Sequence, residues 1–199
     1  MTNFEKLAAS AKPLFLHYDQ EDICRRFGLK ADERRLFLNF CGESYAVDRR
    51  TGDITSASGR LADPAAVLSI FDMLCCPSAP GPLSGEWRTT NTLPGGVQNG
   101  GPSAANLLDG RAAAFAARLP ALRRACEALG GKSFPVGDVS YMLPIFDWFP
   151  AVFQFWNGDD EFPPSVRFLW DRDTLRYLRF ETLFYIMDFL LRRLDSLAA

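Results

Sequence analysis

The run "VSYMLPIFDWFPAVFQFW", residues 139 to 156, limits the fold more than any other part of the chain. It is apolar almost throughout and so belongs in a core, yet Pro144, Asp147 and Pro150 divide it too often for a single helix. Its aromatic side chains, from Tyr141 to Trp156, favour extended backbone. The pattern predicts a hairpin of two buried strands, with a third strand in "SVRFLW" just after it.

Strands buried in this way need a covering element, and the end of the chain supplies one. Phe180, Leu183, Phe184, Met187, Leu190, Leu191 and Leu194 recur at helical intervals, with Arg192 and Arg193 toward the negative end. This predicts an amphipathic helix docking on the sheet. Nearer the N-terminus, "LFLNF" and "SYAVD", joined by Cys41-Gly42-Glu43, read as a second hairpin. A turn at Gly52 then leads to a short strand near Ile54.

Asp19 caps a short helix that Gly28 stops, and Asp63-Pro64 opens another with Val67, Leu68, Phe71, Leu74 and Cys75 on one face. Pro120 divides the alanine-rich segment that follows into two short helices. Helices and hairpins segregate, so the expected class is α+β: one domain over residues 1–199, with a mainly antiparallel sheet packed by the C-terminal helix and several shorter ones.

With 48% hydrophobic residues in 199, the chain can bury a core. A formal charge of -2, with acids and bases interleaved, argues against nucleic acid as a partner. No apolar run is long enough to span a bilayer, and "MTNFEKLAAS" lacks the order of a secretory signal, so a cytoplasmic location is expected. None of the five cysteines has zinc-knuckle or redox-motif spacing, and adjacent Cys75 and Cys76 read as helix-end packing. His17 is the single histidine; a multi-histidine metal site is excluded, and any catalytic triad would have to use it.

Two segments carry the candidate chemistry. Asp159, Asp160 and Glu161 lie between Gly158 and Pro163-Pro164, first of all a turn at a protected sheet edge. A second reading has Asp159 and Glu161 converge with Asp171 or Asp173 on a divalent cation, joined by Asp160 only if the turn bends all three to one side, and a third makes Asp160 or Glu161 an acid–base group raised in pKa beside Trp156. The other segment, residues 77–102, holds a short strand from Trp87 and a type II turn at Leu93-Pro94-Gly95-Gly96. Its glycines, Gly95, Gly96, Gly100 and Gly101, can present amides to an anion, although no Lys-Ser/Thr pair follows them. A groove lined by Trp148, Trp156 and Trp170 would suit a flat ligand.

"FWNGDDEFPPS", "LWD", "YLRFETL" and "SGEWRTTNTLPGG" together resemble the domain of unknown function 3786, a family found largely in anaerobic bacteria and archaea. The likeness runs from "LFLNFCGESYAV" to the last helix, and the acidic motif is its most specific part. Some members carry an iron–sulfur module ahead of this domain, so the resemblance implies anaerobic redox or corrinoid metabolism. This chain has no cysteine cluster able to hold such a centre, so an iron–sulfur cluster would belong to a partner protein. The matching positions Trp87, Leu93, Pro94, Gly95 and Gly96, with Trp156, Gly158, Asp160, Glu161, Phe162 and Asp171, mark where a site is sought.

The expectation is therefore an accessory domain, more a binder than an enzyme. It would take a small-molecule ligand or a protein partner in a cleft between the glycine-rich loop, 87–101, and the acidic turn, 156–164. Trp87, Arg88, Gly95, Gly96 and Trp156 are the candidate binding residues, and the sequence names no cofactor. The rival is a carboxylate-based, metal-dependent enzyme using Asp160 or Glu161, with His17 as the remaining proton carrier and Arg88 holding an anionic substrate. A third reading is a structural subunit that buries its aromatic surface against another chain.

Overall fold

The computed structural model describes residues 2–96 and 104–199. Two helices come first, α1 (Asn3–His17) and α2 (Gln20–Phe27). A four-stranded antiparallel sheet follows, from β1 (Lys30–Ala31), β2 (Arg35–Phe40), β3 (Glu43–Asp48) and β4 (Ile54–Ser56), paired in that order. Helix α3 (Pro64–Leu74) leads to β5 (Trp87–Thr89), then α4 (Ala104–Ala116) and α5 (Leu119–Ala128). The chain closes with β6 (Lys132–Ser133), β7 (Val139–Phe146), β8 (Phe149–Trp156), β9 (Ser165–Asp171) and α6 (Phe180–Ala198). Strands β5 to β9 form a second antiparallel sheet in the order β5-β9-β8-β7-β6.

Local chemistry explains most boundaries. Asp19 accepts hydrogen bonds from the Glu21 and Asp22 amides at the start of α2, and Gly28 ends that helix in the left-handed region. Asp63 caps α3, with Pro64 at its first position. The β2–β3 turn has positive φ at both Cys41 (48°) and Gly42 (73°), as a two-residue hairpin with the sheet's own twist requires. In the β7–β8 hairpin, Val139 faces Phe155 and Tyr141 faces Phe153, with an irregularity between Pro144 and Phe146. The predicted hairpins, the short helices and the closing helix are all present.

The first helix was not expected. Thr2 and Glu5 form a reciprocal capping box, and Pro13 lies inside the helix. Only one face is anchored: Phe15 is fully buried and stacks on Phe71 of α3 at 4.9 Å, whereas Leu7 and Leu14 are exposed.

The core lies between the sheets and the helices. Helix α6 packs against α3 and α5 and buries Leu183, Ile186, Leu190 and Leu194. It reaches the smaller sheet through Phe189, whose ring lies 5.1 Å from that of Phe40. The two sheets join where the Cys41 amide donates to the Ile145 carbonyl at 2.8 Å. This join carries the end of β2 to the β7–β8 turn. Among the described residues, no helix is long and apolar enough to cross a membrane.

Candidate functional site

The acidic turn is a closed local structure. Asp159 Oδ1 accepts from the amides of Glu161 (2.9 Å) and Phe162 (2.8 Å), and the Asp159 amide donates to the Phe162 carbonyl at 2.9 Å. Those two amides, Phe162 first, hold the Asp159 carboxyl below its ordinary value. Gly158 is needed here, because a Cβ would come within 2.6 Å of the Pro164 nitrogen. Asp160, Glu161 and Phe162 all face solvent.

Asp171 stands elsewhere. It ends β9, a strand of seven residues that spans roughly 20 Å and begins beside the acidic turn. Its buried carboxylate accepts from Ser84 Oγ (2.9 Å), the Gly85 amide (3.1 Å) and the Asp173 amide (3.0 Å), which ties the 84–85 segment to the sheet. The expected convergence of Asp159, Asp160 and Glu161 with Asp171 therefore does not occur. Among the described residues, no three His, Cys, Asp or Glu side chains gather as a metal site would require.

The other expected positions are also dispersed. Trp87 pairs with Asp171 and meets Phe134 edge-on, while Arg88 reaches Glu86 at 3.2 Å. The type II turn forms as predicted: Gly95 has φ 83° and the Gly96 amide donates to the Leu93 carbonyl at 3.0 Å. Gly100 and Gly101 lie outside the described residues. A hollow of about 420 Å³ beside the loop is lined by Thr89, Thr90, Asn91, Val166, Arg167 and Phe168, and its walls do not include residues 156–164. Residues 97–101, which would form part of the expected loop-to-acid cleft, lie outside the described residues.

Nor does an aromatic groove form, since Trp148 and Trp156 flank opposite ends of β8 and Trp170 is fully buried. Trp156 instead lies under the Arg167 guanidinium, 4.9 Å from its ring centre. His17 ends α1 in solvent, its Nδ1 2.6 Å from the Pro13 carbonyl. Cys75 and Cys76 close α3 as expected; burial pushes the Cys75 thiol up to about 12, and Cys76 Sγ is 3.3 Å from the Arg176 carbonyl.

A different place brings chemistry together. Alternation along β2 sends Leu36, Leu38 and Phe40 to the core and leaves Arg35, Phe37 and Asn39 on the open face of the four-stranded sheet. Register sets Lys30 and Ala46 beside Phe37, Thr55 beside Ala46, and Ser44 beside Asn39. The β7–β8 turn, with Asp147 and Trp148, and the end of α2, with Phe27, rise at one side. Between floor and walls lies a hollow of about 790 Å³.

Its polar groups are already ordered. Ser44 Oγ donates to Asn39 Oδ1 at 2.7 Å, and Asn39 Nδ2 donates to both Asp147 oxygens at 3.1 and 3.2 Å. The Trp148 ring stacks on Phe146 at 5.5 Å and lies 5.2 Å from Phe27, so the wall is rigid. Trp148 Nε1 is buried without a hydrogen-bond partner among the described residues. Sequence reasoning missed this constellation, although Phe37 and Asn39, on the outward positions of a predicted strand, were its visible signal.

Over residues 19–193 the chain matches the model of a family described as Domain of unknown function (DUF3786), which leaves α1 outside the matched span. No curated protein and no solved structure matches it.

Proposed function

The chain belongs to the DUF3786 family, and we propose that it serves as a binding domain for a small organic molecule, held in the hollow on the open face of its four-stranded sheet. One observation supports this reading above the others. The hollow, about 790 Å³, has a size typical of ligand sites, an apolar floor and wall at Phe37 and Trp148, and a hydrogen-bonded row, Ser44 to Asn39 to Asp147, fixed before any ligand arrives. A ligand meeting ordered polar groups loses less free energy in arranging them. The row consists of one hydroxyl, one amide and one carboxylate with no nucleophile–base pair, so the reading is of recognition rather than turnover.

The test is a thermal-shift screen of a library of small metabolites against the native protein and against Phe37→Asn, a change on the outward face that removes the apolar floor. Compounds that raise the melting temperature of the native protein, but not of Phe37→Asn, support the reading. A screen without such compounds, or shifts that persist unchanged in the variant, would overturn it.

A further inference from the structure

The hollow is electrically polarised along β2. Lys30 lies beside Phe37 through the β1–β2 pairing, and Arg35 lies two residues before Phe37 on the same face. Both side chains line the hollow, and neither has a carboxylate at ion-pair distance among the described residues. The acids nearest in sequence and register are already engaged. Asp32 takes the amides of Arg34 and Arg35, and Asp48 takes Arg34 Nε at 3.1 Å together with the amides of Arg50 and Thr51. Arg49 is likewise committed, to Glu21, Gln20 and the Asp32 carbonyl. Lys30 and Arg35 thus form no ion pair among the described residues, although the Asp32 carboxylate is near enough to act on Arg35; both line a ligand-sized space, Lys30 level with Phe37 and Arg35 two residues before it on β2.

At the other end the charge has the opposite sign. Asn39, four residues after Arg35 and so roughly 13 Å along the strand, holds the Asp147 carboxylate. Asn39 satisfies one edge of that carboxylate, and its remaining lone pairs face outward as acceptors. Phe37 separates the two ends with an apolar surface.

Resting on the reading that this hollow takes a ligand, we infer that the ligand is an organic anion with a flat apolar body. Its anionic group sits against Lys30 and Arg35, its body lies over Phe37, and any polar group at its far end donates a hydrogen bond to Asp147. A planar carboxylate or sulfonate suits the Arg35 fork, and the adjoining ammonium adds a second charge-assisted contact. Asp147 repels a second negative charge at the far end and so fixes the orientation.

Two fluorescent probes test this, 8-anilino-1-naphthalenesulfonate and its uncharged analogue N-phenyl-1-naphthylamine, which differ by the sulfonate. They are titrated into the native protein, Phe37→Asn, Lys30→Ala/Arg35→Ala and Lys30→Gln/Arg35→Gln, with circular dichroism confirming that each variant is folded. The expected result is one saturable site at which the sulfonate binds about tenfold more tightly than the neutral amine. Either double variant should erase that preference, and Phe37→Asn should weaken both probes. Equal affinity of the two probes in the native protein, or a preference that survives both double variants, overturns the anion assignment. If, in that case, Phe37→Asn still weakens both, the binding hollow stands and only its charge preference is lost. If neither probe responds to Phe37→Asn, the hollow itself is not the site, and both readings fall.

Discussion

The rings of Trp87 and Phe134 lie 5.9 Å apart at an interplanar angle of 78°, although their segments stand at opposite edges of the five-stranded sheet. In a flat sheet the four intervening strand spacings would separate those edges by roughly 19 Å. The sheet must therefore curl, and the face carrying Trp87, Leu169, Gln154 and Ser140 is its concave side, as the register requires. The curl explains why two polar side chains there, Gln154 and Ser140, are only 3% and 5% exposed. A double-mutant cycle of Trp87→Ala and Phe134→Ala is expected to give a coupling of about 1 kcal/mol in urea unfolding. Strictly additive losses would mean that the curl is held without this pair.

Gln154 is paired inside that curl by the hairpin loop that crosses it, donating to the Val136 carbonyl at 2.9 Å. Val136 has φ 75°, a region unfavourable for a β-branched residue, while its side chain is 69% exposed and contributes no burial. Val136→Gly should therefore stabilise the protein by about 1 kcal/mol, with the relief of strain outweighing the added freedom of the unfolded chain. The check is the urea midpoint at an unchanged slope. A lower midpoint would show that the loop is not strained at this residue.

What the sequence made legible was local. Asp19, Asp63, Gly28 and the Leu93-Pro94-Gly95-Gly96 turn act within a few residues of themselves, so their roles could be read directly and hold in the structure. Helix α1 escaped because Pro13 reads as a breaker and because Leu7, Leu14 and Leu16, left in solvent, blur its apolar face. The division into two sheets was equally hidden, since it depends on where Cys41 meets Ile145. The same holds for the hollow: Asn39 and Asp147 are 108 residues apart, and nothing local to either announces the other. The acidic triplet drew attention by its composition, but that composition serves a turn.

The turn after β3 gives a prediction in pH. Asp48 Oδ1 accepts from the amides of Arg50 (2.9 Å) and Thr51 (3.0 Å), and these bonds hold its carboxyl down at about 2, against an ordinary value of 3.8. A depressed folded-state value means that the unfolded chain takes up the proton first. The stabilisation is therefore complete above about pH 4 and is lost as pH falls toward 2. Relative to Asp48→Asn, which keeps a neutral acceptor, the native protein should be more stable at pH 7 by about 1 to 2 kcal/mol after allowance for solvent screening. That margin should shrink to near zero at pH 2. Chemical unfolding at pH 7, 4 and 2.5 measures it, and a margin that does not change with pH would refute the assignment.

The start of helix α6 is held from outside the helix. Arg179 occupies the N-cap position and its own side chain caps nothing, which leaves the first amides of a 19-residue helix without an N-cap acceptor. Asp72, from α3, binds instead to the N-cap residue's own amide and to a hydroxyl of the first turn. Its Oδ2 accepts from the Arg179 amide (2.7 Å) and Thr182 Oγ1 (2.6 Å), and its Oδ1 lies 3.2 Å from Arg179 Nε. The carboxylate also faces the positive end of the helix dipole. Because the Asp72 side chain is only 12% exposed, water cannot readily replace it. Asp72→Ala should cost about 2 kcal/mol, combining a lost bond to the Arg179 amide with a stranded Thr182 hydroxyl. Asp72→Asn, which keeps an acceptor oxygen but not the charge, should recover roughly half of that loss. Thr182→Ala, which removes one bond and leaves that to the Arg179 amide intact, should cost about 1 kcal/mol. Urea unfolding of the three variants reads the series in order. If Asp72→Ala were no worse than Thr182→Ala, the start of α6 would be fixed by its apolar face alone, and the charge at Asp72 would have no part in joining α3 to α6.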